Sequence, residues 1–194
     1  MKSIFNNASA LTIRGIAVFA IAAVIGLSMT ACGGDDEGGD KFNGQTLKSG
    51  APSTSTLNTY KISGITFDDL IDAARAANDP DYKGYYEYTI NEGGMKMKNL
   101  IFVWYNKTED NYDNMCEYLE TELDLYWMPG LEEYMSMGQS EIPEGTMQMS
   151  GGFYDTEDIT SDFFVCSVQY YLKKYKDVPK DTLAVGFTVA TISY

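Results

Sequence analysis

Tyr85-Tyr-Glu-Tyr-Thr-Ile90, Asn91-Glu-Gly-Gly94 and the run from Met95 to Tyr105 read as strand, tight turn and strand. Aromatic and β-branched residues suit a pleated surface, and glycines between two such runs supply the turn. This hairpin is the clearest element of the chain, and the other elements are read outward from it. Downstream, Thr108 caps a helix in which Tyr112, Met115, Cys116, Leu119 and Leu123 recur at three and four. Glu109, Asp110, Asp113, Glu117 and Glu120 fill the other side, and Pro129-Gly130 is expected to end it. Upstream, Thr66 with Asp69 forms a capping box, with Phe67, Leu70, Ile71 and Ala74 on one face until Asn78-Asp-Pro80.

Phe163 to Leu172 alternates, with Phe164, Cys166, Val168 and Tyr170 on the more apolar face. Leu183 to Tyr194 alternates more cleanly, Leu183, Val185, Phe187 and Val189 against Ala184, Gly186, Thr188 and Ala190. These two strands are expected to pair through the connection from Lys173 to Asp181. Leu131 to Met137 suggests a short helix, and 136–152 is rich in turn formers. The expected fold class is α+β: an antiparallel sheet of five or six strands with two or three helices packed on one face.

The first residues carry a different message. Lys2 and Arg14 precede an apolar run from Gly15 to Leu27, then Ser28-Met-Thr-Ala31 and Cys32. A basic start, an apolar core and small residues before a cleavage point make a secretory signal. The apolar run falls short of the about 20 residues a spanning helix needs. Leu27-Ser-Met-Thr-Ala-Cys32 resembles the lipobox of bacterial lipoproteins, although Met29 stands where that family favours leucine. The resemblance implies cleavage before Cys32, a diacylglycerol on its thiol and an acyl group on the new amino terminus, with no other cofactor. It covers only the signal and Cys32. Gly33-Gly-Asp-Asp-Glu37 looks like the acidic tag that directs some of these lipoproteins to the outer cell surface, with a periplasm-facing location as the alternative.

The domain plan is therefore a signal peptide over 1–31, a lipidated cysteine and flexible tether over 32–58, and one globular domain over 59–194. Gly, Ser, Thr and Asn dominate the stretch from Gly38 to Asn58, a composition that offers little apolar surface to offset ordering entropy. Loss of residues 1–31 removes Lys2 and Arg14, so the net charge of −14 becomes −16. Such a field repels nucleic acid and anionic headgroups, leaving the membrane as a partner only through the lipid anchor. Cys116 and Cys166 remain as an even pair. They are read with equal weight as a bridge contributing about 4 kcal/mol through loop-closure entropy and as two buried thiols.

Histidine is absent, which excludes Ser-His-Asp and Cys-His nucleophiles, histidine general bases and histidine-containing zinc sites. Asp79-Pro-Asp-Tyr-Lys-Gly84 imitates the start of a calcium loop, but Lys83 occupies a ligand position and Ile90 stands where the closing glutamate belongs. A turn before a strand is the better reading, and no metal site is expected. Met95-Lys-Met97, Met135-Ser-Met137 and Met147-Gln-Met149 are read as core filling rather than copper ligands. Fifteen tyrosines and two tryptophans leave the hairpin aromatic on both faces. Tyr85, Tyr86, Tyr88, Trp104 and Tyr105 are thus the candidate ligand-binding residues, with one face packed inward and the other open to a glycan ring or a protein.

The leading expectation is a non-enzymatic binding domain for a glycan or protein ligand, held on the outer membrane by its lipid. An envelope accessory or inhibitor subunit, docking a basic protein through the acidic helix, is the alternative. A small carboxylate-dependent hydrolase ranks third.

Overall fold

The computed structural model describes residues 39–60, 79–92, 95–121, 126–127, 143, 145–154 and 163–192. The expected helices over 66–78 and 131–137 and the lipobox lie outside the described residues. In chain order the elements are β1 (Lys41–Phe42), β2 (Gln45–Thr46), α1 (Thr54–Thr59), β3 (Tyr82–Glu92), β4 (Met95–Trp104) and α2 (Glu109–Thr121). These are followed by β5 (Tyr126–Trp127), β6 (Met147–Tyr154), β7 (Phe163–Tyr171) and β8 (Thr182–Ile192). The architecture is α+β with antiparallel sheets: a two-stranded β1–β2 ribbon and a larger sheet in the order β3-β4-β8-β7-β6-β5.

The hairpin at 82–104 forms as its sequence dictates. Glu92 pairs with Met95 and Tyr85 with Phe102, so the two glycines join directly paired residues. β8 runs antiparallel to β7, Cys166 opposite Phe187, and also to β4, Leu100 opposite Phe187. β4 is therefore interior, and every residue from Leu100 to Trp104 is buried.

Because successive side chains of a strand point to opposite faces, the sheet has two cores. On one face Leu100, Phe102, Trp104, Val185, Phe187, Cys166 and Val168 meet Tyr112, Met115 and Leu119 of α2, with Tyr60 and Leu57 from the end of α1. On the other, Tyr86, Ile101, Val103, Tyr171 and Ala184 are covered by Phe42, Leu47 and Val178. β7 and β8 thus present the apolar faces expected of them.

Two expectations are corrected here. α2 ends at Thr121, and Tyr126–Trp127 already pairs with β6, so the helix does not continue to Pro129. The turn-rich stretch before residue 152 contributes a strand, β6, whose register against β7 runs from Met147 opposite Tyr171 to Tyr154 opposite Val165.

The larger correction concerns the tether. From residue 39 onward the expected flexible segment is folded onto the sheet, so the domain begins well before residue 59. Phe42 is 1% exposed, its ring 5.8 Å from Tyr86 and edge-on to Tyr171 at 5.7 Å. Lys48 exchanges both backbone bonds with Tyr85, N–H to carbonyl at 2.7 Å and the reverse at 3.0 Å. Ser53 caps α1 by accepting from the Thr56 amide, and the Tyr60 hydroxyl donates to the Asn99 carbonyl at 3.1 Å.

Candidate functional site

The tyrosines read as a ligand face serve the chain itself. Tyr86 and Trp104 lie on opposite sides of the sheet, and both are buried. Tyr86 stacks on Tyr88 at 5.9 Å and packs at a tilt against Phe42. Tyr105 donates its hydroxyl to the Lys41 carbonyl at 2.9 Å, and Tyr82 donates to the Gly50 carbonyl at 2.8 Å. Lys48 stands over the Tyr85 ring at 5.7 Å and Lys83 over Tyr105 at 5.5 Å. Residues 41–50, expected to be part of a tether, therefore cover Tyr86 and contact Tyr85 and Tyr105, while Tyr85, Tyr88 and Tyr105 stay half-buried. Burial pushes the Tyr105 phenol up to about 12, with Asp40 and Asp177 adding to it.

Cys116 and Cys166 come together in the core between α2 and β7, and both are free thiols in this structure. Burial holds both thiols above the ordinary range, Cys116 at about 11. Neither is poised as a nucleophile.

What the sheet does assemble lies at the other end of β4, where the chain turns into α2. Asn106 takes a left-handed φ of 54°, and its amide donates to Asp81 Oδ1 at 2.9 Å. Lys107 is buried and forms an ion pair with Asp79, with Asp81 Oδ2 at 3.7 Å. The Asp79 carboxylate also accepts from the Asp81 amide at 2.8 Å, which makes the turn expected before β3. The Lys107 amide donates to the Asp181 carbonyl at 2.9 Å. The Tyr170 hydroxyl lies 2.9 Å from Asp181 Oδ1 and 3.2 Å from the Lys107 carbonyl, so its one proton serves two acceptors. The starts of β3, α2 and β8 and the end of β7 are thereby tied at one corner.

These bonds set the charges. The Asn106 amide, helped by Lys107, holds the Asp81 carboxyl below its usual range. The Tyr170 hydroxyl does the same for Asp181. Burial first, then the Asp181 carboxylate, raises the Tyr170 phenol to about 12.

At this corner Lys107, Thr108, Glu109, Asp110, Tyr170 and Asp181 line a cleft of about 350 Å³. Thr108 caps α2: its hydroxyl accepts from the Asn111 amide at 3.4 Å while Asn111 Oδ1 accepts from the Thr108 amide at 3.0 Å. This is a capping box with asparagine in the usual Glu/Gln place. Away from the cleft, Asp113, Glu117 and Glu120 continue Asp110 at helical spacing, all exposed, while Tyr112, Met115 and Leu119 are buried beneath. The helix contains no basic residue. Like charges three and four apart cost about 0.2–0.5 kcal/mol per pair, and Glu117 and Glu120 also oppose the helix dipole.

The Tyr170 hydroxyl gives a direct test of the corner. Tyr170→Phe should destabilise the domain by about 1 kcal/mol at neutral pH, since the buried Lys107 carbonyl and the part-exposed Asp181 carboxylate lose their shared donor. Asp181, whose folded pKa is depressed, contributes stability that is complete above the ordinary carboxylate range and lost as pH falls through its folded value. The variant lifts that value toward the ordinary one, so urea denaturation at pH 7 and pH 3 should show the gap narrowing in acid. A gap equal at both pH values would mean that the hydroxyl does not act on Asp181.

Among the described residues no helix is long and apolar enough to cross a membrane. Comparison with protein-family models, curated proteins and solved structures finds no match for the chain.

Proposed function

We propose that the protein is a lipid-anchored envelope protein whose domain is a non-enzymatic interaction module, docking a basic protein partner on the outer face of α2. The observation that carries this reading is the exposed row Asp110, Asp113, Glu117 and Glu120 on a helix whose opposite side is locked into the core. An acidic row without compensating lysines costs stability in isolation, and a cationic partner relieves that cost. A glycan stacked on the hairpin is less well supported, because residues 41–50 already occupy its tyrosines.

The same reading takes Cys32 as the acylated residue, the outer membrane as the anchoring site and the cell surface as the side displayed. It takes the complete domain as five or six strands with two or three helices on one face. Two or more acyl chains suffice for stable anchoring. An accessory or inhibitor subunit is the form of partnership that fits an acidic module without a catalytic histidine.

Two measurements test it. Cys32→Ser should move the protein from the membrane pellet to the soluble fraction and abolish incorporation of labelled fatty acid. Separately, the mature protein in detergent should bind a decalysine peptide with an affinity that falls steeply with salt. Neutralising Asp113, Glu117 and Glu120 should weaken that binding about ten-fold, equivalent to about 1.4 kcal/mol. The same charge change at Asp35, Asp36 and Glu37 is the control. Equal losses in both variants would reduce the effect to net charge and remove α2 as the docking surface.

A further inference from the structure

The early start of the domain changes where it sits. With Cys32 as the acylated residue, seven residue steps separate the anchor from Gly39, the first described residue. Fully extended, seven residues span at most about 25 Å, so the side of the domain that carries residues 39–41 is kept close to the bilayer. That side is opposite α2. Phe42 and Leu47 cover Tyr86, Ile101 and Val103, while Tyr112, Met115 and Leu119 of α2 cover the other face of the sheet.

The side near the anchor carries a lysine cluster. Lys41 is exposed and its carbonyl accepts from the Tyr105 hydroxyl at 2.9 Å, and Lys83 stands over the same ring at 5.5 Å. The connection from β7 to β8 joins them there. Val178 and Tyr175 pack on this face, and Asp177 Oδ2 accepts from the Gly44 amide at 2.8 Å. The same connection presents Lys173, Lys174 and Lys176, all exposed, with Lys176 over the Tyr175 ring at 5.0 Å. Leu172 adjoins them and is an exposed large apolar side chain. The acids alongside are Asp40, Asp81 and Asp177, of which Asp81 is held by Asn106 and Lys107, and Asp177 by Gly44.

The chain as a whole is acidic, but exposed charges more than about 8 Å apart are largely screened at physiological salt. Once acyl chains hold the domain at the membrane, the charges nearest the headgroups decide. A weak contact then suffices, because anchoring makes it intramolecular. We infer that this lysine-bearing face rests on the anionic phosphates of the leaflet that holds Cys32, with α2 turned away from the membrane. The inference rests on the lipid-anchor reading and gives the anchored domain an orientation. An anionic bilayer and a basic partner then occupy opposite faces of the sheet.

The test places the acylated mature protein in vesicles of phosphatidylcholine alone and of equal parts phosphatidylcholine and phosphatidylglycerol, and footprints lysines with an uncharged acetylating reagent. Flotation with the neutral vesicles checks the anchor by itself, and a protein that stays behind overturns the anchor and this inference with it. In floated protein, acetylation of Lys173, Lys174 and Lys176 is expected to slow at least about five-fold in the anionic vesicles and to recover at high salt. Lys96 and Lys98, at the far end of β4, should react at the same rate in both. The combined variant Lys173→Gln, Lys174→Gln and Lys176→Gln should also lose the protection of Lys41. Floated protein with equal rates in the two vesicles, or with Lys96 protected as much as Lys173, overturns the lysine face and leaves the anchor standing. Slow acetylation already in neutral vesicles, released by neutralising Asp35, Asp36 and Glu37, would assign the lysines to those acids and overturn it too. Soluble glycerol phosphate that protects the lysines as well as the vesicles do would show a phosphate site in place of a membrane face.

Discussion

Lys107→Met is expected to destabilise the domain by about 3–5 kcal/mol, the cost of leaving a buried carboxylate without its counter-ion. Lys107 and Asp79 have side chains 8% and 7% exposed, so water does not replace the lost partner. Asp81, at 28%, is partly solvated and is the lesser partner. The backbone of residue 107 keeps its bonds to Asp181 and Tyr170 in the variant, which isolates the charge. Asp79→Asn alone should also destabilise, by stranding the ammonium, although an asparagine still accepts from the Asp81 amide. The double variant Lys107→Met with Asp79→Asn buries no unpaired charge, and it should be more stable than the sum of the single losses predicts by about 2–3 kcal/mol. Urea denaturation of all four proteins at pH 7 closes the cycle. Strict additivity would show that the two charges do not interact across this corner, and the cleft floor would lose its basis.

That corner was hidden from the sequence for a topological reason. Asp79, Lys107 and Asp181 belong to three separate connections and Tyr170 to the end of β7, and only the order β3-β4-β8-β7 brings them to one end of the sheet. No local window contains two of the interacting pairs. Elements whose determinants are local were legible: the pairing of β3 with β4, the cap at Thr108 and the alternation of β7 and β8. β6 was missed because Gly151 and Gly152 weaken its strand signal, and β7 supplies the pairing that propensity does not. The aromatic hairpin and the tether were misread together. Tyrosines in excess of a core's need suggested an outside ligand, while scattered apolar residues such as Phe42, Leu47 and Leu57 showed no period and suggested no structure. Each set is the other's partner. One short signal was available: Asn43-Gly44 between two extended pairs is the sequence of a two-residue hairpin turn, and both residues take positive φ, 47° and 80°.

Phe42→Ala tests that pairing and should cost about 3–5 kcal/mol, the range for removing a fully buried aromatic ring. Phe42 fills the space between Tyr86 and Tyr171, and the Gly44 amide fixes the hairpin tip to Asp177 Oδ2 at 2.8 Å. The segment's second attachment depends on a glycine. A Cβ at Gly84 would lie 2.3 Å from the Lys48 carbonyl oxygen, and φ there is +133°, so Gly84→Ala must break the Lys48–Tyr85 bridge or strain β3. Both variants should open residues 39–60 to limited proteolysis at low protease, with β7–β8 amides retaining their exchange protection. Release of this segment also uncovers Tyr86 and Tyr105, so an aromatic ligand that fails to bind the native protein could bind the variants. A loss below about 1 kcal/mol in Phe42→Ala, with unchanged proteolysis, would restore residues 39–58 to a tether and reopen the hairpin as the ligand face. The placement of one phenylalanine thus bears on both candidate surfaces: with Phe42 seated, Tyr86 and Tyr105 are engaged within the domain, which supports the proposal of α2 as the docking face.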